Sequence, residues 1–212
     1  MQIKSIPNET IGRLFPYLRA LMCLSKEGHK IVSSSRLAEI CDINPAIIRR
    51  DFSYFGYFGK RGVGYDVKEL MKEMRSILNL EPVKKVALIG VGNIGKALLS
   101  YSNFESEGFK IVMAFDKQPG MIGRNINQII IEDEAQLEDR IQSENIHLAI
   151  LAVPEAAVSD LAQRLAGAGV NAILSFAPCQ PAMPNNVKVT CVDLSTEMAR
   201  LIYYSSMEGF VK

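Results

Sequence analysis

The sequence predicts an α/β protein in two parts, a small helical domain followed by a doubly wound parallel sheet. Three observations carry that expectation. Up to about residue 80, apolar residues recur at helical spacing. Past Glu81-Pro82, short apolar runs alternate with helical patterns, as in a sheet buried on both faces. A glycine turn, Gly90-Val91-Gly92-Asn93-Ile94-Gly95, joins the first of those runs to a helix.

The first helix is marked by Ile11, Leu14, Leu18, Leu21 and Met22 and stops near Glu27-Gly28, with Pro16 predicting a kink in its first turns. Ser34 or Ser35 is expected to cap a short second helix carrying Leu37 and Ile40. After a turn at Cys41–Asn44, Asn44-Pro45 starts a third helix, because Asn caps well and Pro suits the first helical position. Ile48, Phe52 and Phe55 form its buried stripe. That places Ala46, Arg50, Ser53 and Tyr57 on the opposite face, flanked by Ile47, Arg49 and Tyr54. Two short helices and a turn before such a helix outline a helix-turn-helix. Gly56, Gly59, Gly62 and Gly64 then punctuate an aromatic and basic stretch. With Lys60-Arg61-Gly62 at a hairpin tip, it is the wing of a winged helix. A helix over residues 66–80 completes a domain of residues 1–82, and Glu81-Pro82 is its boundary.

In residues 83–193 the runs Val86–Ile89, Ile111–Phe115, Ile129–Ile131, Leu148–Val153, Ala172–Phe176 and Val187–Val192 predict six buried strands. Helical patterns at 93–104, 134–143 and 155–167 lie between them, so this part is a Rossmann-type fold. Residues 194–212 form a last segment, helical over 194–207, with Leu194, Met198, Leu201 and Ile202 on one apolar stripe.

The glycine turn has the G-x-G-x-x-G spacing of a dinucleotide site. Gly90 permits the tight turn, Gly92 lets the backbone approach a pyrophosphate, and Gly95 lets helix and strand pack closely. The helix N-terminus between them offers unpaired N–H groups to phosphate. Asp116, 21 residues past Gly95 at the end of the second strand, is placed to accept bonds from ribose hydroxyls and to repel a 2′-phosphate. NAD is therefore favoured over NADP, although the adjacent Lys117 softens the discrimination. Ala152-Val153-Pro154 and Phe176-Ala177-Pro178 end the fourth and fifth strands at the same carboxyl edge and are expected to flank the nicotinamide.

Composition sets bounds around these motifs. With 48% apolar and 22% charged residues, the chain can form proper cores. The net charge of +1 hides a split: 13 Lys+Arg against 9 Asp+Glu in residues 1–82, or +4, and 11 against 14 in the remainder, or −3. A basic front half suits a polyanion. Cys23, Cys41, Cys179 and Cys191 lie far apart without a CxxC, so neither a metal site nor a disulfide framework is indicated. The N-terminus lacks a signal-peptide core and no apolar run approaches a membrane span, which points to the cytoplasm. The proton relay of a dehydrogenase is missing: His29 lies in the front domain and His147 begins the fourth strand, away from the cofactor edge. Cys179 follows the Phe-Ala-Pro loop, where it is an inert pocket thiol or a redox-sensitive one.

The stretch Arg49–Val67 (RRDFSYFGYFGKRGVGYDV), then Gly90–Leu98 (GVGNIGKAL), Phe176-Ala177-Pro178 and Val192-Asp193-Leu194 closely resemble the Rex redox-sensing repressors of bacteria over nearly the whole chain. That resemblance implies a non-enzymatic homodimer that binds pseudo-palindromic double-stranded operator DNA when NADH is scarce. NADH releases it, and NAD+ competes without releasing it. It implies a C-terminal helix exchanged between subunits and lying between the partner's two domains. It also implies a polar switch network of Arg13, Tyr101 and Asp193, with the partner subunit's Asp193 reaching Arg13. The DNA contacts expected are Ala46, Arg49, Arg50, Ser53 and Tyr54 on the recognition helix, with Lys60, Arg61 and Gly62 on the wing. Ile47 departs from the more usual polar residue and shifts base preference toward apolar contact. The cysteines at 179 and 191 have no counterpart in the resemblance. From the residues alone two other readings stay open. One is a small NAD-dependent oxidoreductase with a helical appendage; the other is a protein-binding helical module whose nucleotide is only structural.

Overall fold

The computed structural model describes residues 6–56, 59, 62–179 and 181–208. The chain divides into two compact units, Met1–Pro82 and Val83–Lys212.

The first unit holds α1 (Asn8–Lys26), β1 (Ile31–Val32), α2 (Ser34–Cys41), α3 (Pro45–Ser53), β2 (Tyr65–Asp66) and α4 (Val67–Ile77). Pro16 does not interrupt α1, which runs as one helix with Leu14, Tyr17, Leu18 and Leu21 buried on both sides of the proline. The cap of α2 is Ser33, not Ser34 or Ser35. Ser33 alone of the three stands outside the helix, with extended backbone (φ −84°, ψ 157°), and its Oγ accepts the Arg36 amide at 3.0 Å. Asn44 caps α3 by accepting the Ala46 amide at 2.8 Å, and Asp66 caps α4 through the Glu69 amide at 2.9 Å. Leu37, Ile48, Phe52, Leu70 and Met74 complete the core, where the Phe52 ring meets Tyr17 and Tyr65 edge-on. β1 and β2 pair antiparallel, Ile31 with Asp66 and Val32 with Tyr65, which makes the ribbon of a winged helix.

The second unit runs β3 (Lys84–Ile89), α5 (Asn93–Leu99), α6 (Asn103–Ser106), β4 (Phe109–Asp116), β5 (Asn125–Ile126), β6 (Ile129–Asp133), α7 (Leu137–Ser143), β7 (Leu148–Leu151), α8 (Glu155–Gly167), β8 (Ala172–Ser175), β9 (Lys188–Cys191) and α9 (Leu194–Glu208). The sheet order is β5-β6-β4-β3-β7-β8-β9. All six expected strands form and are parallel; β5 is an addition, paired antiparallel to β6. Asn127 and Gln128, both at positive φ, supply the two-residue turn of that hairpin. The single helix expected over 93–104 is two, because the Asn127 side chain donates to the Leu99 carbonyl at 3.0 Å and ends α5 there.

One face of the sheet (Ala87, Ile89, Met113, Phe115, Ala149, Leu151, Ile173) packs on Leu137 and Ile141 of α7 and on Val158, Leu161 and Leu165 of α8. Arg164 clamps these helices, donating to Glu138 at 2.6 and 3.0 Å and to the Glu134 carboxylate at 3.1 Å. On the other face Leu99 of α5 packs over Val86, Leu88, Ala114 and Ile150. The described residues between β8 and β9 form no helix. An apolar groove of about 310 Å³ therefore stays open on that face, lined by Phe104, Phe109, Ile111, Leu148, Ile150 and Leu174 among others. α9 is exposed over residues 194–206; Leu194 is 64% and Leu201 69% accessible.

Candidate nucleotide site and nucleic-acid interface

The sheet order reverses at β3, whose neighbours are β4 and β7, so the crevice at the carboxyl ends of these strands is where an open α/β sheet takes a ligand. Ladder bonds continue past the strands. The Gly90 amide donates to Phe115, the Ala152 amide to Ile89 and the Phe176 amide to Leu151, at 2.8, 2.8 and 2.9 Å. Gly90, Ala152 and Phe176 therefore stand in a row along that edge, beside Asp116 at the end of β4.

The glycines of the turn are not equivalent. Gly90 sits at φ +89°, and a Cβ there would meet the Ala152 carbonyl oxygen at 2.5 Å and Val153 Cγ1 at 2.7 Å. A Cβ on Gly95 would collide with the Gly90 carbonyl oxygen. Both are required by the protein's own packing. Gly92 is the N-cap of α5, no side chain caps that helix, and a Cβ on Gly92 would meet nothing within 4 Å. That leaves room for a ligand to approach the backbone, and the exposed N-terminal turn suits an anion such as a pyrophosphate. The residues therefore fit a dinucleotide.

Asp116 is 7% exposed and braces this turn. One carboxylate oxygen accepts the Val91 amide at 2.8 Å and the other the Gln118 amide at 2.8 Å. Each oxygen keeps a lone pair for a ribose hydroxyl. Asn93, Ile94, Lys117, Pro154 and Pro178 are exposed, and Ala152, Val153 and Phe176 half-buried. Unlike its neighbours Phe176 and Pro178, Ala177 turns its side chain into the core. Its amide and carbonyl both contact the buried Ser175 hydroxyl at 3.2 Å, folding the loop tightly as it leaves β8. His147 lies at the opposite edge with Nδ1 3.1 Å from the Gly169 carbonyl, and His29 neighbours Glu27. Among the described residues no group of three or more His, Cys, Asp or Glu comes together to hold a metal.

On the first unit, α3 turns Ile48 and Phe52 inward and presents Ala46, Arg49, Arg50 and Ser53 to solvent; Ile47 and Tyr54 are half-buried. Arg49 is steadied by the Ser34 hydroxyl at 3.1 Å. The Ser53 hydroxyl donates back to the Arg50 carbonyl at 2.6 Å. Gly62 is exposed at φ +82°, while Lys60 and Arg61 lie outside the described residues.

Sequence reasoning missed Asp51, the buried polar centre of this unit. Its carboxylate is fully buried and accepts from Arg13 Nε (2.7 Å), Arg13 Nη2 (2.8 Å), the Tyr17 hydroxyl (2.7 Å) and the Thr10 hydroxyl (3.0 Å). Burial alone would raise its pKa, but the bonds from Arg13, Tyr17 and Thr10 together hold it below the ordinary carboxylate value. Burial, and then the bond to Asp51, push the Tyr17 phenol well above its usual range. A signal was present: Asp51 falls three residues after Ile48 and four before Phe55, inside the apolar stripe, where a carboxylate needs a cation.

Within the chain, each expected switch residue has its own local partners. Arg13 is engaged by Asp51. Asp193 caps α9, accepting the Ser195 amide at 2.9 Å and the Thr196 hydroxyl at 2.6 Å, and the Thr196 bond lowers its pKa. Tyr101 is 44% exposed and packs edge-on against Phe104.

Two family models match the chain, the CoA binding domain over residues 82–179 and the "Putative DNA-binding protein N-terminus" over residues 5–53. The redox-sensing transcriptional repressor Rex of Lactobacillus acidophilus is 42% identical over 98% of this chain and 99% of its own. That of Halalkalibacterium halodurans is 45% identical over 94% of each chain. The Rex-family repressor RSP, solved with β-NAD+ and operator DNA, superposes with a TM-score of 0.89 at 33% identity, covering 98% of this chain and 96% of that one. Solved with β-NADH, it gives 0.87 at 32% identity, covering 98% of each chain. Full-length identity above 40%, together with an N-terminal winged helix and an open glycine turn in an α/β sheet, assigns the chain to the Rex family of redox-sensing transcriptional repressors.

Proposed function

We propose that this protein is an NADH- and NAD+-responsive repressor that holds operator DNA when NADH is scarce and lets go when NADH binds. The observation that carries the reading is the pairing, in one chain, of an exposed cationic recognition helix with a glycine turn whose Gly92 is open to a ligand. Ala46, Arg50 and Ser53 face the major groove, flanked by Arg49 and Tyr54, and Lys60, Arg61 and Gly62 on the wing reach the minor groove or its border. The dinucleotide lies along Gly90–Gly95, with Asp116 on the adenosine ribose and the Ala152–Pro154 and Phe176–Pro178 loops beside the nicotinamide. The role is regulatory, not enzymatic: His147, the histidine of the nucleotide-binding unit, precedes β7 at the end of the sheet opposite the crevice. Among the described residues no helix is long and apolar enough to cross a membrane, in keeping with a cytoplasmic repressor.

The working form is a homodimer on a pseudo-palindrome. α9 supports this, because Leu194, Met198, Leu201 and Ile202 are each more than half exposed and make a continuous apolar stripe that is uncovered among the described residues. Exchange of α9 between subunits would cover it, and the bare sheet face over β7–β9 needs cover of the same kind. A switch pair between Arg13 and the partner subunit's Asp193 has to share or compete for a guanidinium that Asp51 already grips with two bonds.

A ligand biases a two-state protein only through its differential affinity for the two states, so NADH must bind the DNA-free form more tightly. Linkage then requires operator DNA to weaken NADH binding by the factor that NADH weakens DNA binding. The test is fluorescence titration of NADH with and without operator duplex, alongside gel shifts with NADH and NAD+. An NADH affinity indifferent to operator refutes the switch.

A further inference from the structure

Two cysteines that lie far apart in sequence, and that the Rex motifs do not include, meet at the carboxyl edge of the sheet. Cys191 ends β9, the edge strand, paired in register with Ser175 of β8. The chain leaving β8 folds back through the Ser175–Ala177 bonds, and the Cys179 amide donates to the Ala177 carbonyl at 2.8 Å. The result is that Cys191 Sγ contacts the backbone carbonyl oxygen of Cys179 across a separation of 12 residues. The Cys191 sulfur therefore touches the backbone of the residue that carries the other thiol. Disulfides join residues whose Cα atoms lie about 4.4–6.8 Å apart, and this contact is compatible with that separation. Both thiols are only partly covered. Cys179 packs on the α8 side of the sheet, and alternation along β9 puts Cys191 on the same face as Val189, opposite Lys188 and Thr190, which line the open groove.

We propose that Cys179 and Cys191 are a reversible dithiol–disulfide site. One thiolate attacks a small-molecule disulfide, forming a mixed disulfide and expelling one thiol. The other thiolate then attacks the protein sulfur of that mixed disulfide, closing the Cys179–Cys191 bond and expelling the second thiol. Two electrons pass to the small disulfide, and the two protons given up by the cysteines end on the released thiols. Cys23 and Cys41 belong to the other unit and take no part.

The bond would join two structures that matter. Cys179 adjoins the Phe176–Pro178 loop, and Cys191 stands two residues before Asp193, which caps α9. Oxidation therefore fixes the crevice loop to the foot of α9, giving a covalent input at the edge read by the dinucleotide. This consequence rests on the nucleotide reading above; formation of the bond does not.

The experiment treats the native full-length protein with glutathione disulfide and maps tryptic peptides without reduction. Cleavage at Arg164, Lys188 and Arg200 separates peptide 165–188, which holds Cys179, from peptide 189–200, which holds Cys191. The two are expected joined, released by dithiothreitol, and absent in Cys191→Ser. In a mixture of 15N-labelled and unlabelled protein, the linked pair should carry one label only. No linked pair, or a pair of mixed label, overturns the proposal. NADH titration of the oxidised and reduced protein is expected to differ at least about fivefold, the low end of allosteric coupling, and the difference should vanish in Cys191→Ser. A linked pair with unchanged NADH affinity overturns the coupling, whereas reduced protein that fails to bind NADH overturns the nucleotide reading instead.

Discussion

Replacing Asp51 with alanine tests whether one buried carboxylate sets the position of the recognition helix. The side chain joins α3 to α1 through four bonds, from Arg13, Tyr17 and Thr10. Without it the Tyr17 hydroxyl is stranded with no exposure, while Arg13, 26% exposed, can still turn toward water. Breaking a buried pair by removing one partner costs about 3–5 kcal/mol. The partial exposure of Arg13 places this case at the lower end, near about 3 kcal/mol, or roughly a hundredfold in an opening equilibrium. Hydrogen exchange read by mass spectrometry suits the question because it separates the two units. Peptides from α1 and α3 should exchange about a hundredfold faster, and those from residues 83–208 should not change. The pH dependence has a definite sign. Because the folded carboxylate sits below its unfolded value of about 3.9, its contribution is complete above that value and disappears as pH falls through the folded value. The gap between parent and variant should thus be constant from neutral pH to about pH 5 and close below about pH 4. A loss under about 1 kcal/mol, or a gap that widens in acid, would refute the reasoning.

Gly95→Ala should abolish NADH binding and lower the melting temperature of the second unit, since its Cβ has no room against the Gly90 carbonyl; Gly92→Ala should weaken binding with no thermal cost, and equal melting losses for both would show that the two positions are alike. For Asp116→Ala the informative quantity is the ratio of NADH to NADPH affinity by calorimetry. The ratio should narrow because the ribose hydroxyls no longer have their acceptor, and both affinities should fall because the Val91 amide loses its own; an unchanged NADH affinity contradicts this. Lys60→Ala with Arg61→Ala should weaken operator binding and lower the log–log salt slope by about 0.9 for each phosphate no longer neutralised, an unchanged slope placing them away from DNA. Arg50→Ala should relax sequence preference by roughly 1–3 kcal/mol if its base contact is bidentate, measured by competition between operator variants.

What could be read from the sequence was what repeats or what has a local cause. The six parallel strands announced themselves as apolar runs, Asn44-Pro45 as a cap, and Gly90–Gly95 as a turn between strand and helix. The misses depend on partners distant in the chain or on backbone angles. Three consecutive serines offer the same side chain, and only the extended backbone of Ser33 selects the cap of α2. The end of α5 is set by Asn127, from a hairpin that residues 125–130 alone announce weakly. Asp51 was visible as a charge in an apolar stripe, but its partners Thr10, Arg13 and Tyr17 lie 34 to 41 residues away.

The inequality among the three glycines bears on how such a protein can change over generations. Selection for a folded, soluble chain protects Gly90 and Gly95, because a methyl group at either one strikes the chain itself. It does not protect Gly92, where a methyl group meets nothing of the chain within 4 Å and only the proposed cofactor could object. A single mutation there could produce a lineage that folds and grips its operator but is deaf to metabolic state, a fixed silencer in place of a sensor. Such a variant would pass every screen for expression and stability, and only pressure on the response itself would remove it.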